Sequence, residues 1–341
     1  MQTLILAEPG RFMLTTTEPP ADPAPGFAVV RVRRIGVCGT DLHAFRGRQP
    51  FFEYPRILGH ELGVEVVKIG PGSDTDLQPG DRCAVEPYMN CGTCIACRQG
   101  NTNACATLNV IGVHSDGGMR EYITVPVHKL HRSMGMSFEQ LALVETLGIG
   151  AHAVRRSQLR PDEWALVIGA GPIGLTVMQF ALLAGAKVIV LDLEAKRLEF
   201  CQAQLGVQHI VQAGDDALEQ VRQLTGGDMP TVVFDATGSE QSMNNAFNYV
   251  AQCGKLVFVG LFKGHVTFND PEFHRRELTL FASRNATSGD LRNVIAQIEA
   301  GKIDTTSWIT HRAPLAEAGD HFDSWTRRDT GVIKAVISVG D

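Results

Sequence analysis

The chain has 341 residues, 44% hydrophobic and 20% charged, with a formal net charge of -6. That length fits about two domains with sizeable cores. The acidic balance and the lack of a basic stripe exclude nucleic acid as a main partner, and Arg, Lys, Glu or Asp interrupts every apolar stretch that could span a bilayer.

Met1-Gln2-Thr3-Leu4-Ile5 leads straight into a strand-like segment, without the basic start or cleavage site of a signal peptide, so a cytoplasmic setting is expected. There, eight cysteines read as metal ligands and packed thiols rather than disulfides. The first ~130 residues alternate short strands with Gly and Pro turns. Val29–Ile35 and Gly63–Ile69 are β-rich and Gln78-Pro79-Gly80-Asp81 is a turn, giving a compact barrel-like β unit with inserted loops. Within it lie Cys38, in Gly36-Val37-Cys38-Gly39-Thr40-Asp41-Leu42-His43, and the pair His60-Glu61, in Leu58-Gly59-His60-Glu61-Leu62-Gly63. Each motif alone is unremarkable, since a lone His is more often a buried polar group than a ligand. Then comes Cys91-x2-Cys94-x2-Cys97-x7-Cys105. Three thiolates in one tight loop and a fourth that can close a tetrahedron suit Zn²⁺, which takes four sulfur ligands at about 2.3 Å. A redox dithiol needs fewer cysteines. One closed all-sulfur site and one mixed site predict a structural and a catalytic metal in one enzyme. Cys83, Cys201 and Cys253 stand alone and read as packing.

Ser137-Phe138-Glu139-Gln140 has the form of a capping box opening a helix. From Trp164 strand and helix alternate. Ala165-Leu166-Val167-Ile168 is an apolar strand of the kind buried on both faces, and Lys187–Leu191, Thr231–Phe234 and Lys255–Val259 repeat it, so a doubly wound parallel sheet is expected. Gly169-Ala170-Gly171-Pro172-Ile173-Gly174 joins the first strand to a helix through Ala184. Its glycines serve a tight turn, close approach of a pyrophosphate and helix–strand packing, and the helix N-terminus offers free N–H groups to phosphate. Asp192 ends the next strand about 20 residues on, where a carboxylate accepts from the adenosine ribose and repels a 2′-phosphate. NAD is therefore favoured, with Arg197 leaving NADP open. After Leu278-Thr279-Leu280-Phe281 comes a helix with apolar Leu291, Val294, Ile295 and Ile298, ended by Gly301, and Val332–Ile337 is a last strand returning to the first domain.

At these motifs the chain resembles the zinc-dependent medium-chain dehydrogenases, the group that includes alcohol, sorbitol and threonine dehydrogenases. Gly59-His60-Glu61, the cysteine tetrad and the Gly169 loop stand in family order, and the likeness spans essentially the whole chain. It implies an α/β architecture: a GroES-like catalytic domain over 1–150, completed by 286–341, and a Rossmann NAD-binding domain over 151–285. It implies Cys38 and His60 as catalytic-zinc ligands, with Glu145 or Glu61 as the third, although Thr146 stands where many relatives carry proline. Asp41 orients His60, and Thr40 and His43 carry the proton away. Polar candidates for the substrate pocket are His114, Arg284 and Asn285; Arg284 falls where sorbitol-type relatives have an arginine that could pair a carboxylate. Gln49–Pro55, Phe262-Lys263-Gly264, Asp270–His274 and Ser283–Thr287 resemble the bacterial branch that oxidises L-galactonate or L-gulonate at C5. The resemblance thus implies Zn²⁺ and NAD as cofactors and a sugar-acid substrate, with neutral polyols or L-threonine as the other readings, in a homodimer or homotetramer. A metal-free nucleotide-binding relative and a zinc-free quinone reductase are disfavoured by Cys38, His60, Glu61 and Glu145.

Overall fold

A computed structural model describes residues 1–49 and 52–340; Pro50 and Phe51 of the Gln49–Pro55 motif lie outside them. The chain divides into two compact units, Met1–Glu145 with the stretch from Thr287 onward, and Thr146–Ala286.

The first unit is built on a seven-stranded sheet. Its long central strand, Phe27–Val37, pairs antiparallel with Glu61–Ile69, with Tyr122–Pro126 and with Lys334–Ser338 from the far end of the chain. Arg82–Val85 and Leu130–Ser133 extend it on one side, and Ile309–Pro314 lies parallel to Lys334–Ser338 on the other. Alternation along the central strand sends Val30 and Val32 into one core, and the register irregularity after Val32 brings Ile35 into it as well, all three fully buried. The C-terminal helix Leu315–Trp325 spaces Leu315, Ala318, Phe322 and Trp325 on one buried face. Phe322 packs on Phe12 (ring centroids 4.6 Å apart) and Phe45 (5.7 Å), so the two ends of the chain share this core. The helix Phe138–Ala142 opens on the expected capping box: Ser137 Oγ accepts from the Gln140 N–H, and the Gln140 side chain accepts from the Ser137 N–H.

The second unit is a six-stranded parallel sheet. Its spatial order is His209–Gln212, Lys187–Asp192, Trp164–Ile168, Val232–Asp235, Lys255–Phe258, Thr279–Ala282. In chain order that is 3-2-1-4-5-6, the doubly wound dinucleotide-binding arrangement, whose order reverses beside Trp164–Ile168. Helices on both faces explain why Ala165, Leu166 and Val167 are all wholly buried. Cys83 and Cys201 are buried as expected. Cys253 is not: it sits exposed at φ +57 in the turn before Lys255, so a turn position, not packing, accounts for it. Among the described residues no helix is long and apolar enough to cross a membrane.

Candidate active site

Cys38 ends the central strand and caps the short helix Gly39–Phe45; its N–H donates to Asp41 Oδ2 at 2.9 Å. Glu61 stands opposite Gly36 in the strand register, and a Cβ at Gly36 would lie 2.0 Å from Glu61 Oε2. Only glycine leaves room there for the carboxylate. His60, one residue before Glu61, is 5% exposed. The ligand atoms of Cys38, His60 and Glu61 all lie within 4.8 Å of one another. Glu145, in the first turn of the helix Val144–Ser157, is buried beside them and accepts a hydrogen bond from Tyr88 Oη. Lys334, from the last strand, donates to Glu61 Oε1 at 2.6 Å and also contacts Oε2, with both side chains buried.

The field of this cluster is negative. Burial alone would lower the His60 pKa, but Asp41, Cys38 and Glu145 outweigh it and hold it well above the usual imidazole range. Burial raises Glu145, against the attraction of His60, and raises Asp41. Lys334 is raised too, because Glu61 and Cys38 outweigh its burial. Asp41 Oδ1 approaches His60 Nδ1 only to 3.7 Å, so Asp41 acts on the ring by charge and not by a hydrogen bond. His60 Nδ1 has no hydrogen-bond partner among the described residues. One cysteine sulfur, one imidazole and buried carboxylates gathered this closely are the donor set of a catalytic zinc site. Thr40 and His43 lie three residues apart on the helix Gly39–Phe45 and so share a face. Partial burial, then Arg48 and Arg46, lower the His43 pKa and favour its neutral form.

The ligand atoms of Cys91, Cys94, Cys97 and Cys105 form a second cluster, again within 4.8 Å of one another. Backbone N–H groups of Cys94 and Cys91 donate to Cys91 Sγ and Cys105 Sγ, each at 3.3 Å, and Asn90 Nδ2 lies 3.7 Å from Cys97 Sγ. Hydrogen bonds from Thr93 and Cys94 pull the Cys91 thiol down to about 5, a thiolate at neutral pH.

In the second unit, Gly171 caps the helix Pro172–Leu183, with proline in its first turn. A Cβ at Gly174 would lie 1.7 Å from the Gly169 carbonyl oxygen, the close helix–strand contact that the third glycine of the motif serves. Asp192 Oδ2 accepts from the Ala170 N–H at 2.6 Å and Oδ1 from the Glu194 N–H at 2.8 Å. Each oxygen keeps a second lone pair for a ribose hydroxyl. Arg197 reaches back over the loop, its Nη1 3.7 Å from the Cβ position of Gly171. Ile173 sits in the first turn of the same helix.

The remaining candidates are dispersed. His114 is exposed and its Nδ1 accepts from the Val110 N–H at 2.9 Å, stapling its own turn. Arg284 and Asn285 follow the strand Thr279–Ala282 in the second unit; Arg284 is exposed, and Asn285 has φ +53. Sequence reasoning missed Lys334, Tyr88 and Gly36. Gly36 stood within the quoted Cys38 motif; the other two carried no motif.

Two family models match, one described as alcohol dehydrogenase GroES-like domain over residues 24–134 and one as zinc-binding dehydrogenase over 172–300. An L-galactonate-5-dehydrogenase of Escherichia coli (strain K12) is 41% identical over 338 residues, 99% of each chain. This chain is a zinc-type medium-chain dehydrogenase. A sorbitol dehydrogenase of Bacillus subtilis (strain 168) is 31% identical over 91% of this chain and 89% of its own. The crystal structure of an alcohol dehydrogenase from E. coli CFT073 complexed with NADH superposes with a TM-score of 0.92 at 28% identity, covering 99% of both chains. The dehydrogenase is thus an NAD- and zinc-dependent oxidoreductase acting on CH–OH donors in a small-molecule substrate.

Proposed function

We propose that this dehydrogenase oxidises a secondary hydroxyl of a sugar acid of the L-gulonate or L-galactonate type to a keto-acid, with hydride passing to NAD. The near-full-length likeness to an L-galactonate-5-dehydrogenase carries the substrate class. Zinc would supply Lewis acidity that makes an alcohol hydroxyl more acidic, as it lowers the pKa of bound water to about 7. Cys38 and His60 would hold that ion, with Glu145 or Glu61 as third protein ligand, and Lys334 steadies Glu61 through their buried ion pair. Thr40 accepts the hydrogen bond of the alcohol, and neutral His43 takes the proton onward. In the second unit the amides of the Gly169–Gly174 turn and helix, with Pro172 and Ile173, hold the pyrophosphate, Asp192 the adenosine ribose and Arg197 the adenosine end. Arg284 is assigned to the substrate carboxylate, with His114 and Asn285 as further polar contacts. Cys91, Cys94, Cys97 and Cys105 hold a structural zinc.

The 31% identity to a sorbitol dehydrogenase favours a second reading, a neutral polyol such as sorbitol or galactitol. NADH formation by zinc-loaded protein, measured with L-gulonate, L-galactonate, their D-epimers, sorbitol and galactitol, separates the two. Turnover of an aldonate, impaired by Arg284→Ala chiefly through KM, supports the sugar-acid reading; turnover of neutral polyols alone ends it. We also place the enzyme in the cytosol, consistent with eight unpaired cysteines, as a homodimer or homotetramer.

A further inference from the structure

We propose that Tyr88 is a positioning residue of the catalytic metal centre: its hydroxyl engages Oε1 of Glu145 and so biases that carboxylate toward meeting the metal through its other oxygen. The inference rests on the catalytic-metal reading proposed above and takes Glu145, of the two carboxylates named there, as the third ligand.

Tyr88 is 2% exposed and donates its hydroxyl to Glu145 Oε1. Glu145 is 6% exposed, so no bulk water competes for that oxygen. The tyrosine itself is fixed. Its backbone pairs with Val110 in the two-stranded ladder Tyr88–Met89/Asn109–Val110. Two residues earlier, buried Glu86 is gripped by Lys129 Nζ at 2.5 Å, by His131 Nε2 at 3.0 Å and by Ser288 Oγ at 2.6 Å. Two residues later, Asn90 accepts from Lys129 Nζ at 2.9 Å and donates to Cys97 of the four-cysteine lobe. A segment anchored on both flanks cannot follow the carboxylate; the carboxylate must come to the hydroxyl.

A carboxylate binds a metal through one oxygen or two. With one lone pair of Oε1 engaged by Tyr88, Glu145 is biased toward binding through its other oxygen, a mode that an arriving hydroxyl can displace more readily. Removing the hydroxyl leaves Oε1 buried without that donor and free to turn toward a metal held by Cys38 and His60. Glu145 then closes on the ion with both oxygens and contests the position that the substrate hydroxyl needs.

The test uses the full-length enzyme with zinc in the four-cysteine site and Co²⁺ at the Cys38 centre. Tyr88→Phe is expected to shift and weaken the visible Co²⁺ bands, as added coordination does, and to raise KM for the alcohol by roughly tenfold, the low end for an outer partner of a metal ligand, with kcat less affected. In a Glu145→Ala background the same substitution should change neither bands nor KM, because its target is gone. A Tyr88→Phe enzyme whose thermal midpoint falls while bands and KM stay put shows a merely structural tyrosine and overturns the inference. The parent enzyme gives a second reading independent of any variant. Its metal-induced infrared difference spectrum should show the carboxylate splitting of one-oxygen binding; a two-oxygen splitting overturns the inference as well. Should Cys38→Ser leave the Co²⁺ bands unaltered, the metal assignment itself fails, an outcome separate from both.

Discussion

Lys334 is the residue whose removal should be felt most sharply. It shares a buried ion pair with Glu61, and both lie at or below 2% side-chain exposure. Taking away one partner of such a pair strands a charge and costs about 3–5 kcal/mol. Lys334→Met should therefore lower the stability of protein lacking the catalytic ion by that amount, and by clearly less once the ion is bound, because Glu61 then has a cation beside it. Urea unfolding of both forms, with the four-cysteine site kept filled, measures the difference; equal losses would show that Glu61 does not sense the metal. At Asp192 the expectation concerns cofactor choice. Its two oxygens are already oriented by the N–H groups of Ala170 and Glu194, so Asp192→Ala should weaken NAD more than NADP in parallel binding titrations. The pH dependence belongs to His43. Burial and the neighbouring Arg48 and Arg46 favour its neutral form, and a proton acceptor must be neutral to act. The acid limb of kcat/KM should accordingly fall below the ordinary imidazole pKa of about 6.5, and His43→Gln should remove that limb. For stability the sign is the same: a lowered folded pKa means the unfolded chain binds the proton more readily, so the contribution is fully present above about 6.5 and is lost as the pH falls from there through the lowered folded pKa.

At the scale of elements, the stretch Glu86–Cys91 ties three things together: the buried Glu86 network, Tyr88 at Glu145, and the start of the four-cysteine lobe. A lobe this small has little core of its own, since Ile95 is 61% exposed and the helix Ile95–Arg98 buries nothing. Metal binding is then folding free energy for the lobe. Cys94→Ser should lower the thermal midpoint and zinc content while sparing most turnover, whereas Cys38→Ser should abolish turnover with the midpoint little changed. Exchanged outcomes would mean that the two sites have been swapped. These motifs were legible in the sequence because each is local: cysteines three apart, a histidine beside a glutamate, glycines in one turn. The parallel sheet was legible for a related reason, its inner strands carrying apolar runs; the edge strand His209–Gln212, with a polar residue at each end, was not read. Nor was Lys334. It meets Glu61 across 273 positions of sequence, through a register in which Ala335 pairs with Val37 and Glu61 with Gly36, and a one-residue slip would turn it to the other face. Tyr88 was hidden likewise, since no spacing rule links it to Glu145. Cys253 failed for the opposite reason: its neighbourhood reads as apolar, but its backbone is in a turn.

At the scale of the whole molecule, the sheet of the second unit leaves an edge to account for. Thr279–Ala282 ends the strand order, and one side of it is paired with Lys255–Phe258. Exposed strand edges are normally blunted by proline, lysine, a bulge or a covering element, because their free N–H and C=O groups invite pairing with another chain. This strand reads Thr-Leu-Phe-Ala, with neither proline nor charge, and Leu280 is 39% exposed. A second copy related by a two-fold axis would pair backbone groups of this edge, apart from the Ala282 carbonyl that already accepts from Arg156 Nε at 2.7 Å, and would cover the leucine. Such a contact closes on itself and gives a dimer, not a fibre. Light scattering in solution should then report about two or four times the 37.0 kDa of one chain. Leu280→Lys places a charge where the copies would meet and should shift the mass downward at micromolar protein, with the four-cysteine zinc content unchanged. A monomeric mass for the parent protein would rule the pairing out; a variant that keeps the parent's mass would move the interface to another face.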